Sequence, residues 1–152
     1  MLRSPEVTYK IMSAVKSSNT RPELALRREL WSRGLRYRVN LKSLAGKPDI
    51  ALTKAKIAIF CDGDFWHGNN WAIRGLPSLE EELARYSDYW RQKLLANIDR
   101  DSKTNAKLKA DGWTVLRFWE SDIKADVAKC ADTVESLYRK KLNDLFGGSQ
   151  DA

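Results

Sequence analysis

The chain has 152 residues, 43% hydrophobic and 31% charged, which fits one globular domain and excludes wholesale disorder. No apolar run reaches the ~20 residues that span a bilayer, and the opening MLRSPEVTYK lacks a secretory hydrophobic region, so a cytoplasmic, nucleoid-associated protein without membrane contact is expected. Lys plus Arg number 27 against 20 Asp plus Glu, and the resulting +7 favours a polyanionic partner, nucleic acid first.

Residues 1–18 read as a polar arm, residues 19–145 as the domain and residues 146–152 as a flexible tail. The first helix starts at a capping box, Thr20 and Glu23, with Pro22 in the first turn and Gly34 as the stop. Leu24, Leu30 and Trp31 are expected on its apolar face. Alternation over 35–40 (LRYRVN) predicts a strand, and "PDIAL" a second. "KIAIFCD" predicts a third, and its continuous apolar run implies cover on both faces. Residues 68–77 read as a loop. Helix is predicted over 78–112, opened by Ser78 and Glu81 and closed by Gly112, with a break near Ser87 because of its length. "WTVLRFWE" is a fourth strand and 122–142 a closing amphipathic helix. Three strands followed by a helical crossover to a fourth give an α/β fold, a mixed four-stranded sheet flanked by helices.

The chemistry concentrates in "IAIFCDGDFWHGNN", which holds the only histidine of the chain. An apolar strand there ends in Asp62, Asp64 and His67, with Phe65 and Trp66 between them. Asp49 follows Pro48 at the start of the preceding strand, where a short hairpin would bring it beside Asp62. Two carboxylates on adjacent strand ends repel unless a cation lies between them, and Mg²⁺ suits hard oxygen ligands. Metal-dependent nucleases of the restriction-endonuclease type share this layout and continue with acid-x-lysine. Here Gly63 and Asp64 follow Asp62, so the lysine is missing, and His67 is the candidate to position or deprotonate the attacking water. Glu23 is explained by the capping box, yet a first-turn carboxylate can also face such a site. Phe65 and Trp66 are either core or a wedge between bases. Cys61 and Cys130 lie far apart without CxxC spacing, so no zinc site is expected.

Five segments, "SSNTRPE", "GKPDI", "IFCDGDFWHG", "KLLANIDRD" and "GWTVLRFWES", occur in an order and spacing that resemble the very short patch repair (Vsr) DNA mismatch endonuclease family, from about Ser13 to Tyr138. The resemblance implies a restriction-endonuclease-like core and Mg²⁺-dependent nicking of one strand of double-stranded DNA at a T:G mismatch. It implies that Asp49 binds metal, that the backbone carbonyl of Cys61 completes the metal sphere, and that His67 is catalytic. Glu23 matches the acidic residue of the first helix, and Asp62 a position carrying aspartate or histidine. Phe65 and Trp66 match the aromatic wedge, and Lys93 and Asn97 lie near positions that approach the mismatch from the other groove. Arg100, in the same segment, is a further DNA-contact candidate. Where the family commonly binds structural zinc, this chain has Asp64, Asn69, Trp71 and Ser121. The alternatives to repair are a Vsr-like nuclease of a restriction, anti-phage or mobile-element system, and a catalytically silent DNA-binding module. A monomer is expected, with a repair ATPase or helicase left open as a further partner.

Overall fold

The computed structural model describes residues 19–147. The arm assigned to 1–18 lies outside them, as do residues 148–152. Helix α1 (Arg21–Ser32) is capped by the Thr20 hydroxyl, which accepts the Glu23 N–H at 3.4 Å. It stops in a Schellman turn: Gly34 takes φ +83°, and the Gly34 and Leu35 N–H groups return to the carbonyls of Trp31 and Leu30. β1 (Arg38–Val39), β2 (Ile50–Leu52) and β3 (Ile57–Asp62) follow, joined antiparallel in sequence order. Short helices α2 (Asn70–Ile73) and α3 (Leu79–Leu83) precede the long α4 (Asp88–Ala110). A second Schellman turn at Gly112 returns the chain to β4 (Thr114–Trp119), which pairs parallel with β3. Helices α5 (Glu120–Ala125) and α6 (Val127–Leu142) and a π-helical turn, Asn143–Gly147, complete the described chain. The sheet order β1-β2-β3-β4 is the expected mixed four-stranded sheet flanked by helices.

β3 is covered on both faces. Ile57 and Ile59, with Ile50 and Leu52 of β2, pack against Leu26 and Leu30 of α1, Ile123 of α5 and Val134 of α6. The alternate residues Ala58 and Phe60 turn to the other face and meet Leu108 of α4. Each large aliphatic side chain removed from water in this way contributes about 1.5–3 kcal/mol. The two-sided core fixes the level at which β3 ends. No helix among the described residues is long and apolar enough to cross a membrane.

Several elements differ from the sequence reading. Trp31 is 50% exposed rather than core, because Leu26 takes its place inward and the Arg36 guanidinium covers its ring at 3.7 Å. The strand expected over 35–40 keeps only Arg38–Val39 in the sheet, since β1 is an edge and both residues face solvent. The 68–77 loop contains the turn of helix α2. The predicted 78–112 helix breaks as expected near Ser87, which becomes the N-cap residue of α4. The closing helix divides at Asp126, whose extended backbone ends α5 while its side chain caps α6 by accepting the Lys129 N–H. The tail expected from 146 starts inside a helical turn that continues to Gly147.

Candidate active site

β2 begins and β3 ends on the same edge of the sheet, and this brings Asp49 to the last residues of β3. The Asp49 carboxylate accepts the Cys61 N–H at 2.7 Å through Oδ2. Beyond Asp62 the chain folds into a compact loop, closed by Asn69 N–H to the Asp64 carbonyl at 2.8 Å and His67 N–H to the Gly63 carbonyl at 3.2 Å. That loop holds His67 over Asp62, with Nε2 3.8 Å from Asp62 Oδ1. On the other side of the ring, Nδ1 hydrogen-bonds the Asp101 carboxylate from α4. A Nδ1–H donated to Asp101 leaves Nε2 as the free base of a neutral imidazole.

Arg117, on β4, closes the group. Its Nη1 lies 3.0 and 3.1 Å from the two oxygens of Asp62 and 3.5 Å from Asp101, while its Nε donates to Asn105 at 2.8 Å. The guanidinium stacks over the Phe60 ring at 4.1 Å. Asp49, Asp62, His67, Arg100, Asp101 and Arg117 line one cleft of about 360 Å³. Three of them, Asp62, His67 and Asp101, place ligand-type atoms within 4.8 Å of one another.

Glu23 is 1% exposed, pairs with Arg27 and does not line that cleft. Its charge nevertheless acts on Asp49. Glu120, at the start of α5, accepts the Thr20 hydroxyl at 2.6 Å and lies against Gly63. Burial pushes Asp49 up to about 7, and the charges of Glu23 and Asp62 push the same way against the Cys61 N–H. Burial also raises Glu23 and Asp62, the latter despite His67 and Arg117. For His67, burial disfavours the cation, but the Asp101 hydrogen bond and the charges of Asp62 and Asp101 outweigh it and raise its pKa. Burial and the neighbouring acids hold the Cys61 thiol far above its ordinary value, so it remains an SH group at neutral pH.

Phe65 and Trp66 stand on the same loop, half-buried, in edge contact at 5.3 Å. Trp90 of α4 lies 5.5 Å from Phe65 and 5.8 Å from Trp66, and Tyr86 lies 6.1 Å from Phe65. Asn97 donates to the Trp66 carbonyl at 3.1 Å, which ties the loop to α4, and Arg100 stands exposed at the cleft. Lys93, one turn before Asn97, is half-buried. Asp64 gathers the other end of the loop. It accepts the Ser121 N–H at 3.1 Å, the Ser121 hydroxyl at 2.7 Å and the Asn69 amide at 2.7 Å.

The DNA mismatch endonuclease Vsr family model matches residues 3–73. The chain is similar to the type II nicking enzyme V.NmeDIP of Neisseria meningitidis serogroup C, 42% identical over 138 residues, 91% of this chain and 90% of that relative. The chain belongs to the Vsr family. It is therefore a DNA endonuclease of a family that uses divalent metal. The type II nicking enzyme V.HpaIIP of Haemophilus parainfluenzae is 43% identical over 121 residues, 79% of this chain and 82% of the relative. The DNA mismatch endonuclease Vsr of Escherichia coli strain K12 is 31% identical over 115 residues, 76% of this chain and 70% of the relative.

Sequence reasoning missed Asp101 and Arg117. Both lie inside quoted segments, "KLLANIDRD" and "GWTVLRFWES", but charges on a helix and a strand ordinarily face water. Only the topology turns these two inward.

The raised carboxylates make a pH prediction. An acid whose pKa is higher in the folded than the unfolded chain holds its proton longer when folded, so stability falls as pH rises between the two values. For Asp49 that window runs from the ordinary aspartate value of 3.8 to about 7. His67 acts in the same direction, its raised pKa favouring folding at low pH and losing that contribution as it deprotonates. In EDTA the melting temperature is expected to fall from pH 5 to pH 8, and Mg²⁺ is expected to restore it at pH 8 far more than at pH 5. A flat, Mg²⁺-insensitive melting profile would contradict the electrostatic picture.

Proposed function

We propose that this Vsr-family endonuclease nicks one strand of duplex DNA with Mg²⁺ as cofactor, as the nicking enzyme of a type II restriction setting rather than of general T:G repair. The observation that carries the chemistry is the convergence of Asp49, Asp62 and His67 on one cleft. The setting is supported by the relatives: V.NmeDIP and V.HpaIIP, named as type II nicking enzymes, are 42% and 43% identical, and the mismatch endonuclease of Escherichia coli is 31% identical. A silent DNA-binding module has no use for a histidine fixed between two acids beside a third.

The donor set suits a hard divalent cation. Asp49 commits one oxygen to the Cys61 N–H, and its other oxygen has no hydrogen bond to the described residues. Asp49 and the backbone carbonyl of Cys61 would hold Mg²⁺, which supplies charge neutralisation at the phosphate and an acidified water. Asp62 is hydrogen-bonded by Arg117 through both oxygens, so its part in holding metal would be shared with that guanidinium. Neutral His67 would accept the proton of the attacking water at Nε2, with Asp101 fixing the ring and its tautomer. Glu23 would act through Asp49, as a buried charge outside the cleft. Asp49→Ala is expected to abolish nicking of supercoiled plasmid in Mg²⁺ while leaving DNA binding largely intact. Undiminished nicking by a folded Asp49→Ala protein would remove this reading.

A structural zinc is not part of the proposal. Asp64, Asn69 and Ser121 already cross-link the loop to α5 through direct hydrogen bonds. Elemental analysis is expected to find no stoichiometric zinc, and chelation is expected to leave the circular dichroism unchanged. One equivalent of zinc, lost together with secondary structure, would overturn this.

Preference for a mismatch would come from Phe65 and Trp66, because unstacking costs least where pairing is already weak. Lys93, Asn97 and Arg100 would hold the duplex alongside. Trp66→Ala is expected to lose roughly 1–3 kcal/mol of preference for mismatched over paired duplex. Its phosphate contacts, and so the salt dependence of non-specific binding, should remain. A stable Trp66→Ala protein with unchanged preference would assign the ring to packing alone.

A further inference from the structure

The cleft sets three cations, Lys47, Arg100 and Arg117, against three carboxylates, so its lining carries no excess of positive charge for a phosphodiester, and of the three only Arg117 is not exposed. Asp49, Asp62 and Asp101 all line it, and a phosphodiester adds another anion. The acid-x-lysine cation is missing, since Gly63 and Asp64 follow Asp62. Arg117 stands in that gap.

Three observations separate Arg117 from a simple counterion. Its guanidinium is fixed at two nitrogens, Nε by Asn105 at 2.8 Å and Nη1 by Asp62 at 3.0 Å, and is stacked on Phe60. Such a group is oriented before substrate arrives, which is the condition for strong electrostatic stabilisation. The third nitrogen, Nη2, forms no hydrogen bond with the described residues, although the side chain is only 18% exposed. Finally, the residue lines the same cleft as Asp49 and His67. A counterion needs one arm on its carboxylate. Here two arms are anchored and one is left over, on a residue that lines the cleft where the phosphate would bind.

We propose that Arg117 is a catalytic residue of the nicking reaction, its Nη2 donating to a non-bridging oxygen of the scissile phosphate in place of the missing lysine. This rests on the assignment of the cleft as the nicking site. In the step, the water oxygen forms a new bond to phosphorus and its proton passes to His67. The bond from phosphorus to the leaving sugar oxygen breaks with its electron pair, and that oxygen takes a proton from solvent. Negative charge builds on the non-bridging oxygens in between, and there a rigid guanidinium acts most strongly.

The test uses the full chain. The wild-type nick is first mapped on supercoiled plasmid, and a synthetic duplex is built around it with Rp or Sp phosphorothioate at the scissile position. Arg117→Lys and Arg117→Gln are compared with wild type in single-turnover nicking, duplex binding in Ca²⁺ and thermal melting. Expected is a loss of about 10²–10³-fold in rate, the scale for removing one preorganised donor, with duplex affinity within about threefold. Wild type should be slowed by one diastereomer in a way that Mn²⁺ or Cd²⁺ does not rescue, and the variants should lack that effect. A metal contact would instead be rescued. Near-wild-type nicking by Arg117→Gln, or a slow variant that keeps the unrescued thio effect, would overturn the proposal and leave Arg117 a counterion of Asp62. If the Gln variant does not fold, Arg117→Lys carries the comparison, since it keeps the charge facing Asp62. Asp49→Ala and His67→Ala run in parallel: their full activity removes the site assignment, whereas their inactivity beside an active Arg117→Gln removes only the role of Arg117.

Discussion

β3 and β4 run parallel over six residue pairs, from Ile57 with Thr114 to Asp62 with Trp119, so the two strands release their chains on one edge of the sheet. From β3 the chain enters the His67 loop, and from β4 it enters α5, which opens with Glu120 and Ser121. Asp64 accepts both hydrogen bonds of Ser121, so the two exits are joined again just past the sheet. Within the same register Phe60 lies beside Arg117, which places the guanidinium flat on the ring and within reach of Asp62. A shift of one residue in this pairing would turn Arg117 to the opposite face, toward α1 and α6, and leave Asp62 buried without its cation. The parallel pairing is held in turn by the core on both faces of β3. Chemistry at the strand ends thus depends on Ile57, Ile59 and Phe60, none of which is reactive.

The site is assembled against electrostatic resistance. Glu23, Asp49, Asp62, Asp101 and Glu120 surround the last turn of β3 and its loop, and burial raises the pKa of the first three. Protein groups relieve only part of this. Arg27 takes Glu23, Arg117 takes Asp62, and a hydroxyl rather than a cation meets Glu120. Asp49 receives one backbone N–H and nothing positive at hydrogen-bond distance, and it is the carboxylate held up at about 7. The group least satisfied by the protein is the one the family reading assigns to metal. That agreement between an uncompensated charge and a ligand assignment is physical, because a buried acid lacking a counterion is stabilised most by whatever cation reaches it.

Much of this was legible in the sequence because it is local. Thr20 and Glu23 mark a helix start by spacing alone, and the apolar run ending at Asp62 marks a doubly covered strand. The polar interruption after it marks chemistry. What was illegible is non-local. Asp101 sits in "NIDRDSK", a stretch that reads as a solvated helix face, and only the approach of α4 to the loop makes it the partner of His67. Arg117 occupies an alternating strand position indistinguishable from an outward-facing charge until β3 lies beside it. Trp31 shows the reverse error. An aromatic at helical spacing points to the apolar face, whereas Leu26 fills the interior and Arg36 shields the ring. The polar set at 64, 69 and 121 reads in the sequence only as residues at positions where the family commonly binds zinc, and its three-way hydrogen bonding joins segments 57 residues apart.

On the proposed roles, the loop would also couple recognition to chemistry. Trp66 and His67 are consecutive, so a displacement of one ring moves the other unless the backbone between them absorbs it. Little slack is available. The Trp66 carbonyl is held by Asn97, the His67 ring by Asp101, and the loop ends by Asp64. Asn97 and Asp101 are four residues apart on α4, one helical turn on a common face. Trp90 and Asn105 extend that arrangement in either direction, one toward the aromatic cluster and the other toward Arg117. α4 therefore touches the wedge candidates at its N-terminal half and the candidate catalytic groups at its middle. If Trp66 inserts between bases as proposed, a duplex that accepts it would position the phosphate relative to α4, and a paired, stacked duplex that refuses the ring would leave the phosphate displaced. An ångström-scale displacement is enough to lose orders of magnitude in rate. Under the proposed wedge, selectivity would need no moving lid: it would follow from building the wedge candidate and the candidate base on neighbouring residues of one clamped loop.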